Sequence, residues 1–285
     1  WDDSGIIGDK GEIIIDHYED LLDSQFFPDS KINFAENLLQ GNEDSQAIVF
    51  YGEGKDKIIL NLSELRKKVF SLALWLKGHG IEAGDRVAAL LPNCPETIIA
   101  MLATSSIGGI FTSCSPDFGE EGIVDRFGQS RPKIFITCDG YIYGGKKFDI
   151  REKSKNISER ISSINKTINV NYVDLENINK GDNWDNILKE NMNKEFHFQR
   201  FPFNAPLYIL YSSGTTGKPK CIVHSAGGTL IQHIKEHKYH CDIKKNDRVL
   251  YFTTCGWMMW NWMVSALASE ATLILYDGSP IFPNP

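Results

Sequence analysis

Apolar residues along the middle of the chain alternate between a spacing typical of helices and one typical of strands. Leu65, Val69, Leu72 and Leu76 recur on one predicted helix face, and Ser63 is the predicted N-cap of that helix. Further helices are predicted from Pro95, over residues 120–129, at the start of the segment 151–198, near 184–189 and over 229–241. A Trp/Met-rich helix is predicted between the strands at 249–253 and 272–276. Strands are predicted over residues 47–51, 58–60, 86–91, 110–112, 133–137, 168–173, 207–211, 221–223, 249–253 and 272–276, the first two as a hairpin. This alternation predicts an α/β fold with a largely parallel sheet and flanking helices.

The longest apolar stretch, residues 98–114, predicts a buried helix that runs into a buried strand. Thr104, Ser105 and Gly108 interrupt it, and it is too short to cross a bilayer. No charged region precedes an apolar run at the start of the chain, so nothing there has the pattern of a signal peptide.

The composition excludes several function classes. A chain of 285 residues with 42% hydrophobic residues is long and apolar enough for a large core, which excludes a disordered protein. The 30 basic residues against 37 acidic ones give a net charge of −7, which argues against a nucleic-acid or membrane surface but permits a local basic pocket. The six cysteines form no CxxC pair and predict reduced thiols in a cytosolic protein.

The chain is predicted to divide into three parts. Residues 1–42 would wrap a larger body, 43–206 would form a first α/β half, and 207–285 would begin a second half. Within the first half, residues 151–198 are rich in asparagine, and the favoured interpretation is biased composition in a surface segment.

A polar loop follows the predicted strand that ends at Tyr211. Residues 211–220 have the sequence Tyr-Ser-Ser-Gly-Thr-Thr-Gly-Lys-Pro-Lys. Hydroxyl side chains and two lysines are close together here, and the two glycines allow the backbone N–H groups to approach a ligand. These groups are the ones that cradle a polyphosphate. The loop is not a Walker A motif, because Ser212 stands where the first glycine belongs and Pro219 where the metal-binding hydroxyl belongs.

The loop closely resembles the Ser/Thr/Gly-rich loop of the adenylate-forming superfamily, which includes the acyl-CoA synthetases. The resemblance implies a large N-terminal domain with mostly parallel sheets, and it implies ATP, Mg²⁺ and coenzyme A as reactants. Thr215 and Lys220 would stabilise phosphate charge during catalysis. The ATP-binding residues that the resemblance implies are Ser212, Ser213, Gly214, Thr215, Thr216, Gly217, Lys218 and Lys220.

Segments outside the loop narrow the resemblance. Residues 115–119, 125–127, 139–146, 221–228, 256–262 and 276–280 are similar to those of the acetoacetate-activating acyl-CoA synthetases. By that resemblance Trp257, Met258 and Met259 bound the acyl pocket, and Lys146 contacts coenzyme A. For Trp257, Met258 and Met259 the competing interpretation is the start of a helix that faces the core. For Lys146 it is a pair of solvated lysines. Activation of acetate or propionate, and a truncated non-catalytic nucleotide-binding chain, stay open as alternatives.

Three histidines on the helix predicted over residues 229–241 could suggest a zinc site. His233, His237 and His240 are followed by Cys241, but no HExxH motif is present. The spacing places them beside an apolar stripe, which favours the rim of the core or a place against the nucleotide. No metal-ligating residue is predicted.

Several motifs of the superfamily are missing from the sequence. No Tyr-Gly pair continues into Thr-Glu, and no small C-terminal domain follows. The chain is therefore expected to be an N-terminal fragment, inactive alone, of a ligase whose partners are acetoacetate, ATP and coenzyme A, with no nucleic acid or membrane.

Overall fold

The computed structural model describes residues 1–20, 22–175, 182–212 and 217–283. Its strands are β1 (Gly8–Asp9), β2 (Ile15–Asp16), β3 (Gln25–Phe26), β4 (Lys31–Ile32), β5 (Gln46–Gly52), β6 (Ile58–Asn61), β7 (Arg86–Leu90), β8 (Ile110–Cys114), β9 (Ile134–Cys138), β10 (Gly140–Tyr143), β11 (Lys146–Asp149), β12 (Lys166–Val170), β13 (Asp182–Asn183), β14 (Phe201–Pro202), β15 (Pro206–Ser212), β16 (Lys220–Ser225), β17 (Arg248–Val249) and β18 (Thr272–Asp277). Its α-helices are α1 (Phe34–Leu38), α2 (Leu62–Gly78), α3 (Pro95–Ser106), α4 (Glu120–Ser130), α5 (Arg151–Arg160), α6 (Trp184–Asn191), α7 (Ala226–Lys235) and α8 (Met258–Val264).

A seven-stranded sheet forms the centre of the fold, in the order β13-β12-β9-β7-β8-β15-β16. β7 lies parallel to both β8 and β9, and Val87 pairs with Phe111 on one side and Ile134 on the other. All strands of this sheet are parallel except β16, which returns antiparallel to β15. The prediction of an α/β fold with a mostly parallel sheet is confirmed.

Buried helices cover this sheet. α3 buries every residue except Glu96 and packs against α1 and α2. The predicted buried helix and strand at residues 98–114 are therefore confirmed as α3 and β8. Ser63 is the wrong cap for α2, because the side chain of Asn61 accepts the Glu64 N–H while the Glu64 carboxylate accepts the Asn61 N–H.

A second sheet has the order β17-β18-β5-β6 and contains the predicted hairpin β5–β6. The predicted strand 249–253 is wrong beyond Val249, because β17 pairs with β18 only at Arg248 and Val249. Leu250 and Phe252, which follow, are exposed. The predicted helix 229–241 begins earlier, as α7, and continues as a π-helical turn over Glu236–His240.

The asparagine-rich segment contributes to the core. β12 adds to the central sheet beside β9, with Ile168 and Val170 buried. α6 packs against α2 and buries Trp184, Ile187 and Leu188. The interpretation of residues 151–198 as a surface segment is therefore wrong for β12 and α6, since both elements bury their apolar side chains in the core. Residues 176–181 lie outside the described part.

Both large sheets combine strands from either side of residue 206. The predicted boundary between two α/β halves at residue 206 therefore stays a prediction. The N-terminal segment pairs with the body through the small sheet β1-β4-β14. Trp1 and Phe27 also pack on Phe203, with ring centroids 6.0 and 5.0 Å away. In the described ranges, no helix combines the length and apolar character needed to cross a membrane.

Candidate active site

The two described ends of the predicted phosphate loop, Ser212 and Lys220, lie at the carboxyl edge of the central sheet, where ligands of open α/β sheets bind. β15 runs parallel to β8 and ends at Ser212, and Lys220 begins β16 directly opposite Ser212. The hairpin thus brings together two of the predicted ATP-binding residues. Four others, Ser213, Gly214, Thr215 and Thr216, lie outside the described residues.

Tyr211 anchors the strand end from which the loop departs. Its hydroxyl oxygen lies 2.9 Å from Thr112 Oγ1 and 3.1 Å from Ser130 Oγ, which ties β15 to β8 and α4. The Arg126 guanidinium lies 5.9 Å from the centre of the Tyr211 ring. Burial raises the pKa of Tyr211, so its phenol stays neutral and acts here as a hydrogen-bonding group.

The second half of the loop rests on α4. Lys218 Nζ lies 3.2 Å from Asp125 Oδ1, and the Lys218 side chain is 75% exposed. Gln129 Nε2 donates to the Pro219 carbonyl at 2.9 Å. An ion pair this exposed contributes little stability, so the lysine can exchange Asp125 for a phosphate at small cost.

These groups fit a nucleotide polyphosphate. Lys218 and the exposed Lys220 supply positive charge, and Ser212 supplies a hydroxyl next to Lys220. Mg²⁺ in such sites is held by one or two carboxylates together with substrate phosphates. Among the residues the structure describes, no group of three or more His, Cys, Asp and Glu could hold a metal ion.

A cleft of about 510 Å³ opens between β16, α7 and α8. The wall formed by β16 and α7 carries most of the polar side chains together with Val223, and the wall formed by α8 is apolar. Its lining includes Val223, His224, Thr229, Gln232, Met258 and Trp262. The cleft shares β16 with the phosphate loop, because residues 223–225 line the cleft and Lys220 begins the same strand at the loop.

The predicted acyl-pocket residues separate around the start of α8. Met258 lines the cleft with its side chain 47% exposed, whereas Trp257 and Met259 are not part of the lining. Trp257 is 63% exposed and Met259 is half-buried. Trp260 belongs to the core, where its indole Nε1–H donates to Asn93 Oδ1 at 2.9 Å.

The histidines of α7 and its π-helical extension have partners within the protein. His233 Nδ1 lies 2.8 Å from Ser265 Oγ, and His237 Nε2 lies 3.1 Å from the Trp262 carbonyl. Burial lowers the pKa of His233 to about 3 and that of His237 to about 4, so both are neutral. His240 is exposed. The core-rim interpretation describes the surroundings of His233 and His237.

Lys146 lies apart from the loop, at the start of β11 in the hairpin β10–β11. The turn before it consists of Gly144 and Gly145, with φ of 60° and 77°, values that favour glycine. Glu53 holds this turn: its carboxylate accepts the N–H groups of Gly144 at 3.1 Å, of Gly145, and of Ser279 at 2.8 Å. Sequence reasoning missed Glu53, because its partners are far away in the chain.

A half-buried acid lies next to this hairpin. Asp277 ends β18, and its Oδ2 accepts the Tyr172 hydroxyl at 2.6 Å. Burial raises the pKa of Asp277 from 3.8 to about 6. Lys55 Nζ lies 4.1 Å from the centre of the Tyr172 ring and also donates to the Tyr172 carbonyl. The sequence marked residues 276–280 only as a segment and gave Asp277 no special environment.

The comparisons with known proteins agree with this geometry. The family model described as AMP-binding enzyme matches residues 35–285. Acetoacetyl-coenzyme A synthetase of Rhizobium meliloti is 49% identical over all of this chain and 44% of its own length. Acetoacetyl-CoA synthetase of Xenopus tropicalis is 42% identical over the same shares, and malonamoyl-CoA synthetase vrtB of Penicillium aethiopicum is 36% identical over all of this chain and 42% of its own.

The solved structure of acetoacetyl-CoA synthetase from Streptomyces lividans superimposes with a TM-score of 0.92 at 36% identity. It covers 99% of this chain, while the chain covers 44% of that structure. The chain thus spans less than half the length of the relatives it matches. Because the family model extends over most of the chain, this protein belongs to the family of AMP-binding enzymes.

Proposed function

We propose that this chain supplies the phosphate-binding loop and part of the acyl site of an ATP-dependent ligase. The reaction is activation of acetoacetate to acetoacetyl-CoA through an acetoacetyl-adenylate, with release of AMP and pyrophosphate. The observation that supports this proposal most directly is that the loop and the cleft share the strand β16. Lys220, at the end of the loop, begins the strand, and the last residues of the strand line the cleft. The similarity to acetoacetyl-CoA synthetases over all of this chain supports acetoacetate as the acid.

The proposed roles follow from charge. Lys218, Lys220 and Ser212 hold the β- and γ-phosphates of ATP together with Ser213, Gly214, Thr215, Thr216 and Gly217. Thr215 and Lys220 stabilise the charge on the departing pyrophosphate. Mg²⁺, held between phosphates, would supply further neutralisation of that charge.

The remaining proposed roles concern the acid and the thiol. Trp257, Met258 and Met259 bound the acyl group, and Met258, which lines the cleft, has the most direct support. Lys146 contacts a phosphate of coenzyme A as a point charge. The exposed position of Lys146 on a hairpin pinned by Glu53 supports that role.

We also propose a cytosolic location and the domain division at residues 42 and 206. All six cysteines are free thiols, which supports a reducing compartment. The division is supported by the sequence change at these positions.

The test is acetoacetate-dependent ATP–pyrophosphate exchange. It is run on this chain and on a chimera that joins it to the remainder of the Rhizobium meliloti relative. Exchange is expected in the chimera and not in the chain alone, with acetoacetate preferred over acetate and propionate. Equal exchange with acetate or propionate would contradict the acid assignment, and exchange by the chain alone would contradict its predicted inactivity.

A matched pair of variants tests the loop. Lys220→Ala in the chimera should reduce exchange by roughly 100-fold, the usual cost of one transition-state contact to developing charge. Lys245→Ala is the control, because Lys245 is also exposed but pairs with Glu270 at 2.7 Å, outside both the loop and the cleft. Equal effects of the two substitutions would refute the assignment of Lys220.

A further inference from the structure

The two walls of the cleft between β16, α7 and α8 differ in polarity. An unsubstituted fatty acid has no polar group along its chain that could contact the more polar wall. Met258 and Trp262 offer apolar surface on the α8 side. His224, Thr229 and Gln232 offer polar atoms on the opposite side. An acid with a polar group partway along its chain matches such a pair of walls, because each wall then faces a group of its own kind.

Three of the polar side chains on that wall are already engaged. Gln232 Nε2 donates to Glu236 Oε1 at 3.0 Å, and Glu236 also lies 3.5 Å from Lys235 Nζ. His233 is engaged by Ser265 at 2.8 Å. These groups hold the wall in shape and have less capacity left for a ligand.

His224 differs from them. Its ring lies 5.0 Å from the Tyr208 ring, and neither of its nitrogens has a hydrogen-bond partner among the described residues. The side chain is half-buried, and burial lowers the pKa of His224, so the imidazole is neutral and carries one N–H donor. A half-buried donor without a partner gains free energy when a ligand oxygen meets it.

The strand register sets the direction of a bound acid. Lys220 and His224 are four residues apart in β16, so their side chains leave the same face of the strand about 13 Å apart. The positive charges of Lys218 and Lys220 lie at the loop end of this strand, so a bound carboxylate is favoured toward that end. The tail of the acid therefore extends toward His224.

We infer that His224 is a specificity-determining residue, which donates a hydrogen bond from its ring to the keto oxygen of a 3-keto acid bound in the cleft. This inference rests on the proposed function and deepens it. The site then distinguishes acetoacetate from butyrate, which has the same chain length but leaves the imidazole N–H without an acceptor. Sites that hydrogen-bond a substrate group reject analogues that lack it.

The direct test measures binding of acetoacetate and butyrate to the 285-residue chain by ligand-observed NMR, with and without MgATP. The chain is expected to bind acetoacetate about 10-fold or more tighter than butyrate. His224→Phe should remove that difference while butyrate binding is kept, and His224→Gln, which restores a donor, should recover part of it. His240→Phe is the matched control, since His240 is exposed and has no hydrogen bond among the described residues.

Two results of the binding measurements would contradict the role of His224. A preference that survives His224→Phe, or a chain that binds neither acid, overturns it. Ser225→Ala tests the neighbouring hydroxyl, which also lines the cleft. Loss of the preference in Ser225→Ala but not in His224→Phe would assign the keto oxygen to Ser225 and overturn the inference as well. Circular dichroism melting of each variant shows whether the fold is kept.

Exchange kinetics in the chimera separate this inference from the proposed function. If the unsubstituted chimera exchanges with acetoacetate and His224→Phe leaves the acetoacetate-to-butyrate ratio unchanged, only the role of His224 fails. If the unsubstituted chimera shows no acetoacetate-dependent exchange, the proposed function fails, whereas the binding preference of the chain is still read by NMR.

Discussion

The half-buried carboxyl of Asp277 makes the stability of this protein depend on pH. The carboxyl accepts the Tyr172 hydroxyl at 2.6 Å, yet burial still raises its pKa from 3.8 to about 6. Asp277→Asn keeps an oxygen that can accept the same hydrogen bond and removes the charge. The substitution therefore isolates the cost of ionising this group in the folded protein.

The sign of the effect follows from the raised pKa. Below pH about 3 the carboxyl is protonated in the folded and unfolded chains, and ionisation contributes nothing. As the pH rises toward about 6, the unfolded chain loses the proton first, so the folded state of the unsubstituted protein becomes progressively less stable. Above the pKa of Asp277 in the folded state, this loss of stability no longer changes with pH.

The magnitude follows from the shift. A difference of about two pKa units between the unfolded and folded states corresponds to at most ~3 kcal/mol. Because the carboxyl keeps some contact with solvent, we expect about 2 kcal/mol. Asp277→Asn should therefore exceed the free energy of unfolding of the unsubstituted protein by only about 0.5 kcal/mol near pH 4 and by about 2 kcal/mol near pH 8.

Urea unfolding between pH 4 and pH 8, followed by circular dichroism, measures this difference. Asp56→Asn is the matched control, because Asp56 lies in the β5–β6 turn, is exposed and has no hydrogen bond or ion pair among the described residues. A gain from Asp277→Asn that does not change with pH, or an unsubstituted protein that is the more stable of the two at high pH, would refute the reasoning.

Three further predictions concern stability and thiol reactivity. Asn61→Ala should lower the free energy of unfolding by ~1 kcal/mol by removing the cap of α2, and Ser63→Ala should change it little; urea unfolding checks both, and equal losses would contradict the cap. Trp260→Phe should cost ~2 kcal/mol by removing a buried indole hydrogen bond, whereas the exposed Trp257→Phe should leave the melting temperature unchanged. A thiol reagent should modify two cysteines in the folded chain and the other four only after unfolding, and rapid reaction of all six would contradict the described burial. The exposed cysteines are Cys221 and Cys241, and the buried ones are Cys94, Cys114, Cys138 and Cys255.

Local spacing was sufficient to predict most elements of this fold. The spacing of Leu65, Val69, Leu72 and Leu76 identified α2, because residues three and four apart lie on the same face of a helix. The ten-residue polar loop after β15 was likewise recognised from residues that are contiguous in the chain. In the asparagine-rich segment the apolar positions predicted a strand near β12, whereas the composition wrongly favoured a place on the surface.

The tertiary structure alone decided which distant residues meet. Glu53 accepts the N–H groups of Gly144 and Gly145 across a separation of about 90 residues, and Tyr172 reaches Asp277 across 105. Such pairs leave no periodic signal, because a side chain's partner depends on how the strands of two sheets are ordered. The same holds for the cleft, whose walls come from β16, α7 and α8 and whose polar His224 faces an apolar wall only once these elements have packed.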